Sequence, residues 1–88
     1  MTSWTLIFKA LANINRLKII QLLVNGAGMD VGSIAWELKI SAKATSKHLI
    51  ILANLEVLSS RGSANHVFYM LNKDIPANFE RAIRLFIK

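Results

Sequence analysis

Lys43 and Lys47 stand one helical turn apart in the stretch ISAKATSKHLIIL, residues 40–52, with Ala42, Thr45 and Ser46 beside and between them. On a helix, positions i, i+1, i+4 and i+5 lie on one side, so Ala42, Lys43, Ser46 and Lys47 share a face and Thr45 falls on its border. That set suits duplex DNA. Lysine donates to guanine O6 and N7, serine and threonine hydroxyls bond several base edges or phosphates, and Ala42 or the Thr45 methyl can meet a thymine methyl. A helix laid in the major groove reaches base edges only with its first turns, so reading residues must cluster at its N-terminal end. Here they do. The helix start adds backbone donors and a positive dipole end for phosphate. Downstream, Arg61 and His66 flank a polar turn and, with Asn65, are candidates for the neighbouring backbone or minor groove.

The flanking sequence must position these groups. Ser41 is placed as N-cap of a helix from Ala42 to about Leu55, with Ala44, His48, Leu49, Ile51, Leu52 and Leu55 facing inward. Before it, DVGSIAWELK forms a short helix capped by Asp30, with Val31, Ile34, Ala35 and Leu38 inward. Two helices joined by a turn at Lys39–Ser41 make a helix-turn-helix when the second presents small and polar residues at its start. Upstream, NRLKIIQLLVNG predicts a buried helix capped by Asn13 or Asn15 and stopped at Gly26. Trp4, Ile7, Phe8 and Leu11 mark one apolar face of a first helix, and Leu6 and Ala10 begin a second. VLSSRGSANHVFYMLN reads as two strands around a glycine-containing turn at Arg61–Asn65. Asp74 and Pro76 open a last helix whose apolar side carries Ile75, Phe79, Ala82, Ile83 and Phe86. The expected fold is mainly α with a small β-hairpin: four helices, two strands and a fifth helix in one domain, residues 1–88.

Composition narrows the function classes. Eleven Lys and Arg against five Asp and Glu give a formal charge of +6, which favours a polyanionic partner. An apolar fraction of 53% and a mean hydropathy of +0.40 are high for so small a globule, and a homodimer would hide the excess. No apolar run reaches the length of a membrane span, so no membrane partner is expected, and the N-terminal stretch lacks the pattern of a secretory leader. The chain therefore reads as cytoplasmic. The absence of cysteine excludes disulfides, thiolate metal sites and a cysteine nucleophile. The few scattered carboxylates and two unpaired histidines offer no nucleophile with its base, so the chain is not read as an enzyme. No metal site or cofactor is expected either. Arg16 has two readings, a phosphate ligand or a partner of Glu37. His48 is expected packed or hydrogen-bonded inward, and Trp36, off the inward stripe, is expected to cover a neighbouring helix at its rim.

The linked segments FKALANINRLKII, VGSIAWELKIS followed by ATSKHLIIL, and VFYMLN resemble the ArsR-type winged helix-turn-helix family of regulators, over about Phe8 to Leu71. The resemblance implies a homodimer with the terminal helices, about residues 3–13 and 74–88, at the interface, which would use Trp4, Ile7, Phe8, Phe79, Ile83 and Phe86. It also implies operator reading by the fourth helix through Ala42, Lys43, Thr45, Ser46 and Lys47, with Arg61 to His66 as the wing tip. The implied function is a dimeric, sequence-specific DNA-binding regulator, most simply a repressor. The other reading is a winged-helix protein-interaction module that does not touch bases. Metal-sensing members carry Cys-Val-Cys where this chain has Asp30, Val31 and Gly32, or histidines on the last helix where residues 74–88 have none. Metal sensing is thus not implied, and no small-molecule effector is declared. Lys39 and Glu56 stand where relatives place glycine, so these turns are either strained, at about 1 kcal/mol each, or built differently.

Overall fold

The computed structural model describes residues 3–87, so Lys88 of the expected last helix and the first two residues of the N-terminal stretch lie outside it. Helix α1, Trp4–Leu11, starts where the Ser3 hydroxyl accepts the Leu6 N–H at 3.2 Å, and it turns Ile7 and Ala10 inward. Helix α2, Ile14–Leu23, is capped by Asn13, whose side chain accepts from the N–H groups of Asn15 and Arg16, and it buries Ile19, Ile20 and Leu23. It ends at Leu23, and Gly26, three residues beyond, takes φ 85°. α2 is the hub, since it touches α1, α3, α4 and the sheet.

Met29–Asp30 forms a short strand, β1, which the sequence pattern did not announce because two residues show no alternation. Asp30 then caps helix α3, Val31–Leu38, accepting the Ser33 N–H at 2.7 Å. Ile34, Ala35 and Leu38 are buried and Val31 is half-buried. After the turn come helix α4, Ala42–Asn54, strands β2, Leu58–Ser63, and β3, His66–Leu71, and helix α5, Ala77–Arg84. The sheet is antiparallel in the order β1-β3-β2, so the expected hairpin gains a third strand. α5 begins three residues later than expected. Pro76 is its N-cap rather than a first-turn residue, and the Asp74 N–H instead donates to the Asn72 side chain at 3.1 Å.

One core runs through every helix. Ile7, Ile19, Ile20, Leu23, Ile34, Leu49, Leu52, Val57 and Phe79 are wholly buried, and Ile83 nearly so. This corrects the expected interface. Ile7, Phe79 and Ile83 point into the core of their own chain and are not available to a second one. Trp4 and Phe8 remain outside, stacked with ring centroids 5.6 Å apart, and Leu85 joins them at 79% exposure. Phe86 is half-buried. The physical reason is that α1 packs on α2 and on α5, so only the outer side of α1 and α5 is free.

Two non-glycine residues do take the left-handed backbone that their positions demand. Lys39 has φ 59° and Glu56 φ 64°. At Lys39 the turn is held by Ile40 N–H to the Ala35 carbonyl at 3.3 Å, and at Glu56 the Asn72 amide donates to the Glu56 carbonyl at 3.0 Å. The hairpin differs from expectation in its register. Ser63 pairs with His66, leaving a two-residue loop of Ala64 and Asn65 with φ 44° and 69°. Both residues of such a loop need positive φ to match the strand twist. Gly62 therefore lies in the strand and not in the turn.

Candidate nucleic-acid interface

The start of α4 is built by Ser41, whose hydroxyl accepts the Ala44 N–H at 3.0 Å. Thr45, Leu49 and Leu52 anchor the helix inward, and Ala44, His48 and Leu55 are half-buried beside them. The inward face is rotated relative to the expected one, and Ile51 is left 39% exposed. That rotation projects Ala42, Lys43 and Lys47 into solvent and leaves Ser46 half-exposed.

Thr45 does not belong to this set. It is fully buried, and its hydroxyl donates back to the Ser41 carbonyl at 2.9 Å, so neither its methyl nor its oxygen faces outward. Its position on the helical border is compatible with either side. The packing of α4 on α2 and α3 selected the inner one.

Arg61, Asn65 and His66 are all exposed on the hairpin, at the far end of the sheet from the core residues Val57 and Leu58. His66 Nδ1 lies 3.7 Å from the Asp30 carboxylate, and its ring leans on Phe68 at a centroid distance of 6.1 Å. The tip end of the hairpin is thus tied to the start of α3, both through this pair and through the β1–β3 pairing of Asp30 with Phe68. Hydrogen bonds from the Ser33 side chain and N–H, assisted by the charge of His66, hold the Asp30 carboxyl below its ordinary range.

Arg16 takes a role that neither expected reading described. Its guanidinium donates to the carbonyls of Ala10 and, at 3.2 Å, Lys9, which close the end of α1, and a third bond reaches His48 Nδ1 at 3.2 Å. Arginine has no acceptor, so His48 Nδ1 must carry the lone pair and Nε2 the proton. Burial, then the Arg16 charge, pushes the His48 imidazole below its ordinary value and so favours its neutral form. His48 is therefore hydrogen-bonded, as read from sequence. The Arg16 link joins α1, α2 and α4 in one network. Trp36, expected to cover a neighbouring helix at its rim, is instead 81% exposed. Its displacement from the Val31, Ile34, Ala35, Leu38 stripe was the sequence signal for this exposure.

No helix among the described residues is long and apolar enough to cross a membrane, and no three potential metal ligands gather among them. The pattern of the family described as bacterial regulatory protein, arsR family, matches residues 13–60. The transcriptional repressor SdpR of Bacillus subtilis is 38% identical over 69 residues, 78% of this chain and 76% of that protein. The transcriptional activator HlyU of Vibrio cholerae is 33% identical over 81 residues, covering 91% and 74% respectively. The structure of reduced HlyU superposes with a TM-score of 0.75 at 32% identity, over 96% of this chain and 88% of that one. The homodimeric winged helix-turn-helix domain of Mb0332 from Mycobacterium bovis, itself described as a possible ArsR-family regulator, gives 0.74 at 25% identity, over 92% and 71%. With the matched segment spanning α2, the helix-turn-helix and the start of the wing, the chain belongs to the ArsR family of winged helix-turn-helix transcriptional regulators.

Proposed function

We propose that the protein acts as a homodimeric repressor, reading a pseudo-palindromic operator with Ala42, Lys43, Ser46 and Lys47 and gripping the adjacent backbone or minor groove with Arg61, Asn65 and His66. The observation that carries this reading is the division of α4. Thr45, Leu49 and Leu52 hold it to the core while two lysines and two small residues stand free over its first turns. The hydrogen-bonded cap leaves the remaining N–H groups and dipole of that end for phosphate. Its place of action is the compartment that holds the chromosome, the cytoplasm.

Dimerisation is supported by the apolar outer side of α1 and α5. Trp4, Phe8, Ala82 and Leu85 surround a depression of about 550 Å³, with Arg81 at its edge. A second copy bringing the same side would cover it by two-fold symmetry, and two recognition helices about 34 Å apart would then enter successive major grooves. The homodimeric neighbour supports this arrangement, and the relative named as a repressor supports the direction of regulation.

Selection of bound sites from random duplexes tests the whole reading, because a recovered inverted repeat reports DNA binding, symmetry and half-site spacing together. On the recovered site, alanine at Lys43 and Lys47 should abolish specific binding without unfolding the chain. The slope of log affinity against log salt should become shallower by about 0.9 for each phosphate contact removed. Retention of full operator affinity by the double variant refutes the assignment.

A further inference from the structure

Trp36 is, among the described residues, the most exposed large apolar side chain. A single exposed indole means little by itself. Its surroundings give it meaning. It forms one wall of a groove of about 510 Å³ lined also by Gly32, Ala35, Lys39, Ile40 and Ala42. Gly32, one turn before Trp36, lines it without bringing a side chain. A Cβ added there would meet only the Asp30 carboxylate, at 3.8 Å. Ala42, the first residue of α4 and a member of the proposed reading set, lines it too. Lys39, in its left-handed turn, is the charged residue that lines it, while the neighbouring Glu37 lines a separate recess with Lys18 and Gln21.

The geometry points to this groove as a clamp for one strand of the DNA sugar–phosphate backbone, at the rim of the major groove entered by α4. This inference rests on the DNA-reading assignment above and adds residues to it. A backbone strand alternates apolar deoxyribose with anionic phosphate. The groove offers the matching alternation: the indole face and Ile40 for the sugar, and Lys39 with the indole Nε1–H for phosphate. Contacts of this kind position a protein on the duplex without reading sequence. Trp36 and Lys39 are therefore assigned to affinity and register, and Lys43, Ser46 and Lys47 to selectivity.

The test compares the full-length protein with W36A and W36F on two duplexes, the site selected by the wild type and a scrambled duplex of equal length. Circular dichroism first confirms that the exposed substitution leaves the fold unchanged. W36A should lose about ten-fold in affinity on both duplexes, the scale of a lost hydrogen bond to a charged group, with their ratio preserved. W36F, which keeps a ring face but no N–H, should lose less. In protein labelled with 5-fluorotryptophan, the fluorine resonance absent from W36F belongs to Trp36, and it should shift when duplex is added. Wild-type duplex affinity in W36A, or a Trp36 resonance unmoved at saturation, overturns the clamp. It would leave the groove to another occupant, such as an acidic protein segment. If W36A binds like wild type while the Lys43 and Lys47 double variant loses the site, only the clamp fails. If the wild type binds no duplex, the DNA assignment and the clamp fail together.

Discussion

Replacing Arg16 by methionine keeps an unbranched apolar stem and removes every donor, which isolates the network at the junction of α1, α2 and α4. The Ala10 carbonyl belongs to a residue only 4% exposed, so it gains little water when the guanidinium is gone. A bond from a charged donor of this kind contributes about 1.5–2 kcal/mol. The bond to half-buried His48 contributes about 1 kcal/mol, because Nδ1 can recover only part of its hydration. The bond to Lys9 is exposed, and water replaces it at almost no cost. Together the loss is about 2.5–3 kcal/mol. For a domain of this size that corresponds to roughly 10–20 °C in melting temperature. Urea denaturation followed by circular dichroism at pH 7.5 measures it, with Arg16→Lys as a companion that keeps charge but cannot span three acceptors. A loss below about 0.5 kcal/mol in Arg16→Met, the range of an ordinary surface change, would refute the reasoning. The same variant separates the structural role from a phosphate role. Operator affinity per folded molecule should stay within about two-fold of wild type, whereas a true phosphate ligand would also flatten the salt dependence.

Other consequences are equally direct. Leu85→Glu puts a charge in the exposed apolar side of α1 and α5 and should convert the proposed dimer to monomer in sedimentation velocity at micromolar protein; an unchanged species would remove that side from the interface. His48 has a folded pKa below that of the unfolded chain, so its contribution is fully present above the ordinary imidazole value near 6.5 and is lost as pH falls below it. The unfolding free energy should decline between pH 7 and pH 5, and His48→Gln should remove that part of the slope. Glu56→Gly relieves a left-handed residue at φ 64° but adds freedom to the unfolded chain, so a net gain of about 0.5 kcal/mol is expected in urea melts. A loss would show that the Glu56 side chain itself holds the turn.

The helices and their caps were legible because their signals are local. Ser41 and Asp30 declare their roles by type and position, since a short side-chain oxygen is what the first N–H groups require. Lys43 and Lys47 share a side of α4 whatever surrounds it, because 3.6 residues per turn puts them there. The left-handed turns at Lys39 and Glu56 were visible as glycine positions occupied by other residues. The hairpin was legible as a pair of strands but not in its register, because glycine in RGSANH drew the turn toward itself while strand pairing put it at Ala64 and Asn65.

What only tertiary structure decided is the assignment of ambiguous faces. Thr45 could belong to the DNA side or the core, and the docking of α4 on α2 and α3 buried it. Ile7, Phe79 and Ile83 carry the same apolar character as Trp4 and Phe8, so sequence placed all of them at an interface. The packing of α1 against α5 sent the first three inward and left the others out. Arg16 found its partners six, seven and thirty-two residues away, all on other helices. Periodicity states which residues lie on the same side of an element. It does not state which side another element will cover, because that depends on the distances between helices in space, and those exist only once the chain has closed on itself.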